Sequence, residues 1–473
     1  MYPQNQTFLV LGLSRSGKAA AEFLLARRAT VYIYDDASSE RVEKTAKRLE
    51  EQGAKRVEKD GLLKISDACD ALVLSPGIPI DHPLSVAFKR KKKAVIGETE
   101  LAARYVKVPV VAVTGTNGKT TTVTMITETL CKGGFNAKAC GNIGTPMIEL
   151  YSMEEKGLAV AEISSFQLET LNSLCPHIAV VLNVTEDHLN RHYNMENYLF
   201  LKAKLLKNLT ESEFAVLNYD DNIVRGFAEK TKAKIVWFST RERVKGAYYA
   251  DGALYFNGEK ILAAADMLTD GLHNVQNALA TVAVAKLMGV KTADIAAVLA
   301  SFKGIKHRVE YIGAFNGVAY IDDSKGTNVD ATVKAVSCMK KPTLLLLGGK
   351  NKGYDYAKLF IALKKTPVRH AVLYGENRYA LLKSARENGF ESVTVCENFT
   401  VAVKVAAMLA QPDETVLLSP ASASFDEFAG YEERGERFVE IVRSLASETV
   451  VKEQERAKDA TENVDGTLDE QTE

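Results

Sequence analysis

The residues Thr114-Gly115-Thr116-Asn117-Gly118-Lys119-Thr120-Thr121 have the types and order that handle a nucleotide triphosphate. A glycine-rich turn ahead of a helix lets backbone N–H groups approach phosphate oxygens. Lys119 is then placed to reach the β- and γ-phosphates, and the Thr120 hydroxyl to ligate Mg²⁺. The turn departs from the general G-x-x-x-x-G-K-[ST] pattern, because Val113 stands where its first glycine belongs. Glu162 ends an apolar stretch in AEISSFQLE, and His188 follows another in NVTEDHLNRH. A carboxylate, an imidazole and a threonine hydroxyl at neighbouring strand ends together suit a divalent cation. His188 alone reads as an ordinary packed or surface histidine; its place beside Glu186 and Asp187, past the run Ile178–Val184, favours a ligand.

Three further groups bear chemistry. The loop Gly12-Leu13-Ser14-Arg15-Ser16-Gly17, with Asp35 and Asp36 ending the next apolar run, resembles a dinucleotide fingerprint but lacks G-x-G-x-x-G. It reads as a phosphate-ligand loop without NAD, or as a simple tight turn. Asn274 and Asn277 share a helix face and could read an adenine or ribose edge, although Asn274 could equally be an N-cap. Arg308, in KHRVE, could meet ATP phosphates or form a linker salt bridge.

The elements that must position these groups are strands alternating with helices. TFLVLGLSRSGKAAAEFLLARRATVYIYDD reads as strand, turn, helix and strand, and VPVVAVTG enters the phosphate turn. The helix after Lys119 should stop at Gly133-Gly134, and helices are expected over Met195–Leu209 and Asn274–Met288. The basic run within Phe88–Lys93 reads as a solvated helix end. A third series contains VAYIDDSKGT, TLLLLGGKNKG, HAVLYGEN, SVTVCEN and TVLLSPASASFDEF. This order implies parallel sheets with helices on both faces and ligands at the strands' carboxyl ends. The fold class expected is α/β, with three domains at 1–98, 99–304 and 305–447. Residues 448–473, of which Lys452–Glu473 carries eight acids and three bases, are expected to be a disordered acidic tail.

The chain's 473 residues are enough for about three domains. It carries 60 basic and 60 acidic residues, which argues against a broad basic surface for nucleic acid. No apolar run approaches the ~20 residues of a membrane span, and the first ten residues lack the basic start of a signal peptide. The six cysteines are scattered without a C-x-x-C pair, so neither a zinc finger nor a disulfide framework is indicated. A soluble cytoplasmic enzyme without membrane insertion is the expectation.

Taken in order, TGTNGKTT, GNIGTP, EISSFQLE, NVTEDHL, the Lys202 helix, HNVQNALA, KHRVE, DDSKGTN, GGKNKG and LLSPASASFDEF resemble the Mur ligases of peptidoglycan synthesis over about residues 5–445. SSFQLE and the SPASAS-FDEF ending resemble the D-glutamate-adding branch. The resemblance implies an N-terminal Rossmann-like substrate domain, a central P-loop ATPase domain and a C-terminal Rossmann-like amino-acid domain. It implies that ATP activates the carboxylate of UDP-N-acetylmuramoyl-L-alanine as an acyl phosphate, which D-glutamate then attacks; a monomer is taken as the default, since the sequence does not give the oligomeric state. By the same resemblance Thr120 and Glu162 match one magnesium site, and Glu162, His188 and Lys202 a second, with Lys202 N-carboxylated (carbamylated). The resemblance implies that Lys119, His188, Lys202 and Glu162 carry catalysis. Gly115 to Thr121, Asn274, Asn277, Arg308, Asp323 and Lys325 match the ATP shell. Leu13, Ser14, Asp36, Asn142 and Ser164 match UDP-substrate contacts, and Thr327, Lys352, Ser424, Phe425 and Tyr431 the D-glutamate pocket. Asn190 and Ser422 depart from the family's common Asp and Cys. A sister ligase using another amino acid or a folate, and a nucleotide-binding module without catalysis, are the rival readings. A pure binding module has no use for Glu162, His188 and Lys202 together.

Overall fold

The computed structural model describes residues 3–154, 156–269, 271–351, 353 and 355–445. The acidic stretch Lys452–Glu473 and Lys352 lie outside them. The chain is a three-domain α/β protein built on three sheets, and it divides into one compact unit ending at Lys303 and a second beginning at Gly304.

The first unit holds two sheets. The N-terminal one has five parallel strands in the order Lys55–Arg56, Thr30–Tyr34, Thr7–Leu11, Ala71–Leu74, Ala94–Ile96. Thr7–Leu11 lies at its centre, so the turn after it opens at the middle of the sheet's carboxyl edge. The helix Arg15–Ala26 folds back tightly, with Gly17, Ala19, Ala20 and Ala21 buried. Gly17 has no alternative: a Cβ there would stand 1.8 Å from the Gly12 carbonyl oxygen.

The central sheet has nine strands. Asn136–Gly141, Gly157–Glu162, Val110–Thr114, Ile178–Val181, Phe214–Asn218, Lys234–Ser239 and Gly246–Ala250 run parallel in that spatial order. Ala253–Phe256 and Glu259–Ala263 close the edge antiparallel. Helices Lys119–Lys132, Leu272–Leu287 and Thr292–Ser301 pack together over it. Val110–Thr114 and Gly157–Glu162 are buried at every position, as continuous apolar runs in a doubly covered parallel sheet must be. Each fully buried Val or Leu there contributes about 1.5–3 kcal/mol relative to exposure.

The second unit has a six-stranded sheet. Glu310–Phe315 pairs antiparallel with Val318–Asp322, and Thr415–Leu418, Thr343–Gly348, Val368–Tyr374 and Val393–Val395 continue it in parallel.

Three sequence expectations are corrected. The Met195–Leu209 helix is α only over Met195–Ala203, with a 3₁₀ turn at Lys204–Leu206. The long alanine-rich helix starts earlier, at Leu272, which places Asn274 inside the first turn and leaves Gly271 as the N-cap. The basic run is not merely solvated: Lys93 Nζ donates to the carbonyls of Ser66, Asp67 and Cys69, capping the end of the helix Leu62–Ala68. Cations at a helix C-terminus satisfy its last carbonyls and its dipole. Among the described residues, no helix is long and apolar enough to cross a membrane.

Candidate active site

The phosphate turn joins the strand Val110–Thr114 to the helix Lys119–Lys132. Gly118, at φ +84°, is the helix's N-cap, and a Cβ there would come 2.4 Å from Asn277 Oδ1. Asn277 is buried against this helix and accepts from Thr122 Oγ1 at 3.2 Å. The turn is braced from the next strand: Thr116 N donates to Asn183 O (2.9 Å), and Asn117 N to Asn183 Oδ1 (2.9 Å). Thr116 Oγ1 also meets Tyr198 Oη at 3.0 Å. Lys119 is curled onto its own loop, with Nζ donating to Gly115 O and Thr116 O at 2.9 and 2.7 Å. Thr121 is buried.

Glu162 stands at the carboxyl end of the adjacent strand and is buried. One oxygen accepts from Thr120 Oγ1 at 2.8 Å, the other from Asn142 Nδ2 at 2.7 Å. The structure thus brings Thr120, Glu162 and Asn142 into direct contact. The resemblance assigns Asn142 to the UDP-substrate; in the structure its amide holds this carboxylate, a contact that no sequence spacing reveals.

Lys202 arrives from the helix Met195–Ala203, whose N-cap Asn194 accepts from Asn197 N. Its side chain is buried, with Nζ donating to Gly115 O at 2.7 Å and Thr114 Oγ1 at 3.2 Å. Burial holds its ammonium well below the usual lysine range, and the Lys119 charge adds to the shift; Asp187 and Glu162 oppose it. Lys204 points elsewhere, donating to the carbonyls of Leu168 and Glu169.

His188 sits at φ +55°, the N-cap of the turn Leu189–His192, and stacks edge-on against Phe166 with ring centroids 4.7 Å apart. Its Nε2 lies 3.4 Å from Asp187 Oδ2. Ser164 caps the helix Ser165–Thr170 in a reciprocal capping box with Gln167. The SSFQLE motif therefore makes its own helix start, and Gln167 continues to Thr99 Oγ1 at 3.0 Å.

In the N-terminal sheet, Leu13 N donates to Asp35 Oδ2 at 2.6 Å, and Ser14 is the uncapped N-cap of Arg15–Ala26. Asp36 accepts from Tyr34 Oη and lies 3.4 Å from His82 Nε2. Leu13, Tyr34, Asp35 and Asp36 line a cavity of about 180 Å³. Arg15 Nη2 donates to Asn142 O at 3.0 Å, so this loop reaches the Asn142–Glu162 pair.

The second unit assembles its own cluster. Asp323 is buried, accepts from Ser419 Oγ at 2.6 Å, and is pushed up to about 6 by burial, against the pull of Arg308. Lys325 Nζ donates to Tyr431 Oη at 2.7 Å and lies over its ring. Thr327 is half-buried beside Asn328, the N-cap of Val329–Ser337; Ser424 is buried and Phe425 exposed. Ser422 accepts from Asn377 Nδ2 at 2.7 Å, so its hydroxyl is a core hydrogen-bond partner. Sequence reasoning missed Arg434, which is fully buried and donates to Ser324 O at 2.8 Å and Ser422 O at 3.1 Å. It also missed the buried His307–Asp322 pair at 2.7 Å. Nothing in their spacing sets them apart from surface charges.

Known proteins match all three parts. The Mur ligase MurD-like N-terminal domain matches residues 6–97, the Mur ligase middle domain 113–285, and the Mur ligase glutamate ligase domain 307–422. A relative from Pelotomaculum thermopropionicum, named UDP-N-acetylmuramoylalanine--D-glutamate ligase, is 40% identical over 92% of this chain and 97% of its own. One of the same name from Streptococcus equi subsp. zooepidemicus is 38% identical over 94% and 98%. The solved UDP-N-acetylmuramate-alanine ligase MurC of Thermotoga maritima shares the fold at TM-score 0.59, with 18% identity over 93% of this chain and 100% of its own. MurF of the same organism, solved in complex with ADP, does so at 0.57, with 16% identity over 94% and 96%. With near-complete coverage at about 40% identity, the chain belongs to the Mur ligase family, in the branch whose members are named UDP-N-acetylmuramoylalanine--D-glutamate ligases.

Proposed function

We propose that this protein joins D-glutamate to UDP-N-acetylmuramoyl-L-alanine at the expense of ATP, in peptidoglycan precursor synthesis. The observation that carries the reading is the near-full-length identity to relatives of that name, on a chain with a phosphate turn abutting Glu162 and Lys202.

A carboxylate is a poor electrophile. The γ-phosphoryl group of ATP passes to the substrate's alanine carboxylate: the bond to the β,γ-bridging oxygen breaks as a new P–O bond forms, giving an acyl phosphate and ADP. The D-glutamate amine, having lost its proton, attacks the acyl carbon, and inorganic phosphate leaves as the amide forms. Lys119 swings from its loop carbonyls to the transferring phosphate, where its charge offsets the developing negative charge. Backbone N–H groups of Gly115 to Thr120 cradle the phosphates, with Asn274, Asn277, Arg308, Asp323 and Lys325 as the remaining nucleotide contacts. Leu13, Ser14, Asp36, Asn142 and Ser164 hold the UDP-substrate; Thr327, Lys352, Ser424, Phe425 and Tyr431 hold D-glutamate.

The residues present fit divalent metal. Thr120 and Glu162 offer oxygen atoms in contact, suited to a hard cation, and His188 adds an imidazole. Lys202 as an ammonium would repel magnesium, but its buried amine favours the neutral form that CO₂ carbamylates. Magnesium at two such sites would draw charge from the phosphate oxygens. Phosphate release from ATP tests the reading: it should require both UDP-N-acetylmuramoyl-L-alanine and D-glutamate. Release with L-lysine, diaminopimelate or a folate in place of D-glutamate would overturn it.

A further inference from the structure

Arg191 lies three residues past His188 on the same short turn, and its contacts cross between the two sheets of the first unit. Its guanidinium grips the Glu169 carboxylate through two bonds, Nε to Oε1 at 2.9 Å and Nη2 to Oε2 at 2.6 Å. The remaining donors reach the loop after the N-terminal strand Ala71–Leu74: Ile78 O at 2.7 Å, Gly77 O at 3.3 Å and Pro76 O at 3.4 Å. Its charge also lies over the Phe166 ring, 5.1 Å from the centroid, the ring against which His188 stacks. The side chains of Arg191 and Glu169 are 12% and 6% exposed, so this is a buried fork rather than a surface ion pair. Tyr193 adds a hydroxyl bond to Asp81 just beyond the same loop.

The gripped loop is built into the N-terminal substrate turn. Ser75 Oγ donates to Gly12 O at 2.8 Å, and Gly12 has so little room that a Cβ would touch Ile78 Cδ1 and Ser75 Cβ at 2.8 Å. Moving residues 75–78 therefore moves Gly12, Leu13 and Ser14. The opposite end of the grip is anchored beside His188 and the Ser164 cap.

We propose that Arg191 is a positioning residue: its fork sets how far the Gly12–Ser14 turn stands from His188 and Glu162. This rests on the proposed function, in which the turn holds the UDP end of the substrate and Glu162 and His188 serve its reacting end. A substrate held at both ends is sensitive to that separation, because misplacement by about 1 Å can cost a hundredfold. The five-donor plane matters; a lysine ammonium cannot serve one carboxylate bidentately and three carbonyls together.

The test compares Arg191→Lys with the double variant Arg191→Met/Glu169→Met, which removes both buried charges and so avoids stranding one. The expected result is a KM for UDP-N-acetylmuramoyl-L-alanine raised about tenfold or more in both. Binding of a non-hydrolysable ATP analogue should stay within about twofold. Amide hydrogen exchange, measured without substrate, should speed up over residues 76–82 and not in the phosphate turn. A folded double variant with wild-type exchange over 76–82 and unchanged KM overturns the proposal. So does an equal loss of ATP-analogue binding, which would mark general damage. If the unaltered enzyme fails to use the UDP-substrate, the functional reading fails instead, while the exchange result still reports on the grip.

Discussion

Lys202→Arg is the most demanding prediction of the metal-site reading. Nζ is buried, and its two hydrogen bonds run to a backbone carbonyl and a threonine hydroxyl, with no carboxylate among those partners. Its environment favours a neutral amine, which reacts with CO₂ to give a carbamate and a proton. Arginine keeps positive charge and length but cannot be carbamylated, so the substitution exchanges an anionic ligand for a cation. At an effective dielectric near 20, one unit charge acting on another at 4 Å is worth about 4 kcal/mol. A hundredfold loss of turnover needs only about 2.7 kcal/mol, so even a largely screened version of the exchange suffices. Lys202→Arg should therefore fall at least about a hundredfold in phosphate release with both substrates present. Activity of the unaltered enzyme should decline when bicarbonate and CO₂ are stripped and return on their restoration. A ¹³C carbamate resonance should appear with labelled bicarbonate in the unaltered protein and not in Lys202→Arg. Near-normal turnover in Lys202→Arg refutes the carbamate. An inactive Lys204→Arg beside an active Lys202→Arg would put the wrong lysine in the site, against the bonds of Lys204 to Leu168 and Glu169.

Lys119→Ala should lose phosphoryl transfer by about a hundredfold or more with an unchanged circular dichroism spectrum, since its ammonium rests on the Gly115 and Thr116 carbonyls of its own loop. Lys352→Ala should raise the KM for D-glutamate about tenfold to a hundredfold while leaving that for ATP nearly constant, as expected for a lost charge-assisted bond to a carboxylate; steady-state kinetics with each substrate varied decides it. Glu98 is buried and pushed up to about 7 by that burial, despite accepting from Ile148 N and Thr99 Oγ1. The native state then keeps a proton that the unfolded chain has released, so Glu98 lowers stability as pH climbs from about 4.5 to 7. Glu98→Gln should remove that slope and raise the melting temperature at pH 8, by the equivalent of about 2–3 kcal/mol; thermal melts from pH 5 to 8 that track the unaltered protein would count against it.

How much of this was legible in the sequence depended on whether a residue's role is local. The phosphate turn was readable because glycines, lysine and threonine must be contiguous to wrap a phosphate, and the apolar strand before them announces where they sit. The strand-end position of Glu162 followed from the same alternation, whereas His188 stands seven residues past its strand, which ends at Val181 rather than Val184, at the start of the turn Leu189–His192. Ser164 and Gln167 form a capping box that the spacing S-x-x-Q also carries, although the motif had been matched to substrate alone. Lys202 was different. On a helix it reads as one solvated lysine among several, and only family resemblance singled it out; the structure supplies a reason in its burial. Arg191, Arg434 and the His307–Asp322 pair were not legible at all, because their partners lie up to 115 residues away in sequence. An arginine that ends up buried looks, in one dimension, like any other arginine.

The distribution of buried charge follows from the task. A reaction that brings a nucleoside triphosphate to a carboxylate must gather several anions, so cations have to be held ready without neutralising one another's partners. In the first unit Lys119 and Lys202 both bond to the Gly115 carbonyl, and Lys119 rests on backbone oxygens that a phosphate can replace. The Lys119 charge adds to the burial that lowers the proton affinity of Lys202. The arginines are used in the opposite way. Arg191 and Arg434 direct donors to backbone carbonyls, and Arg191 also to the Glu169 carboxylate, where the planar fork sets geometry. Lys119, on a flexible stem, can thus leave its loop carbonyls for a phosphate, whereas the planar forks of Arg191 and Arg434 hold loops in register.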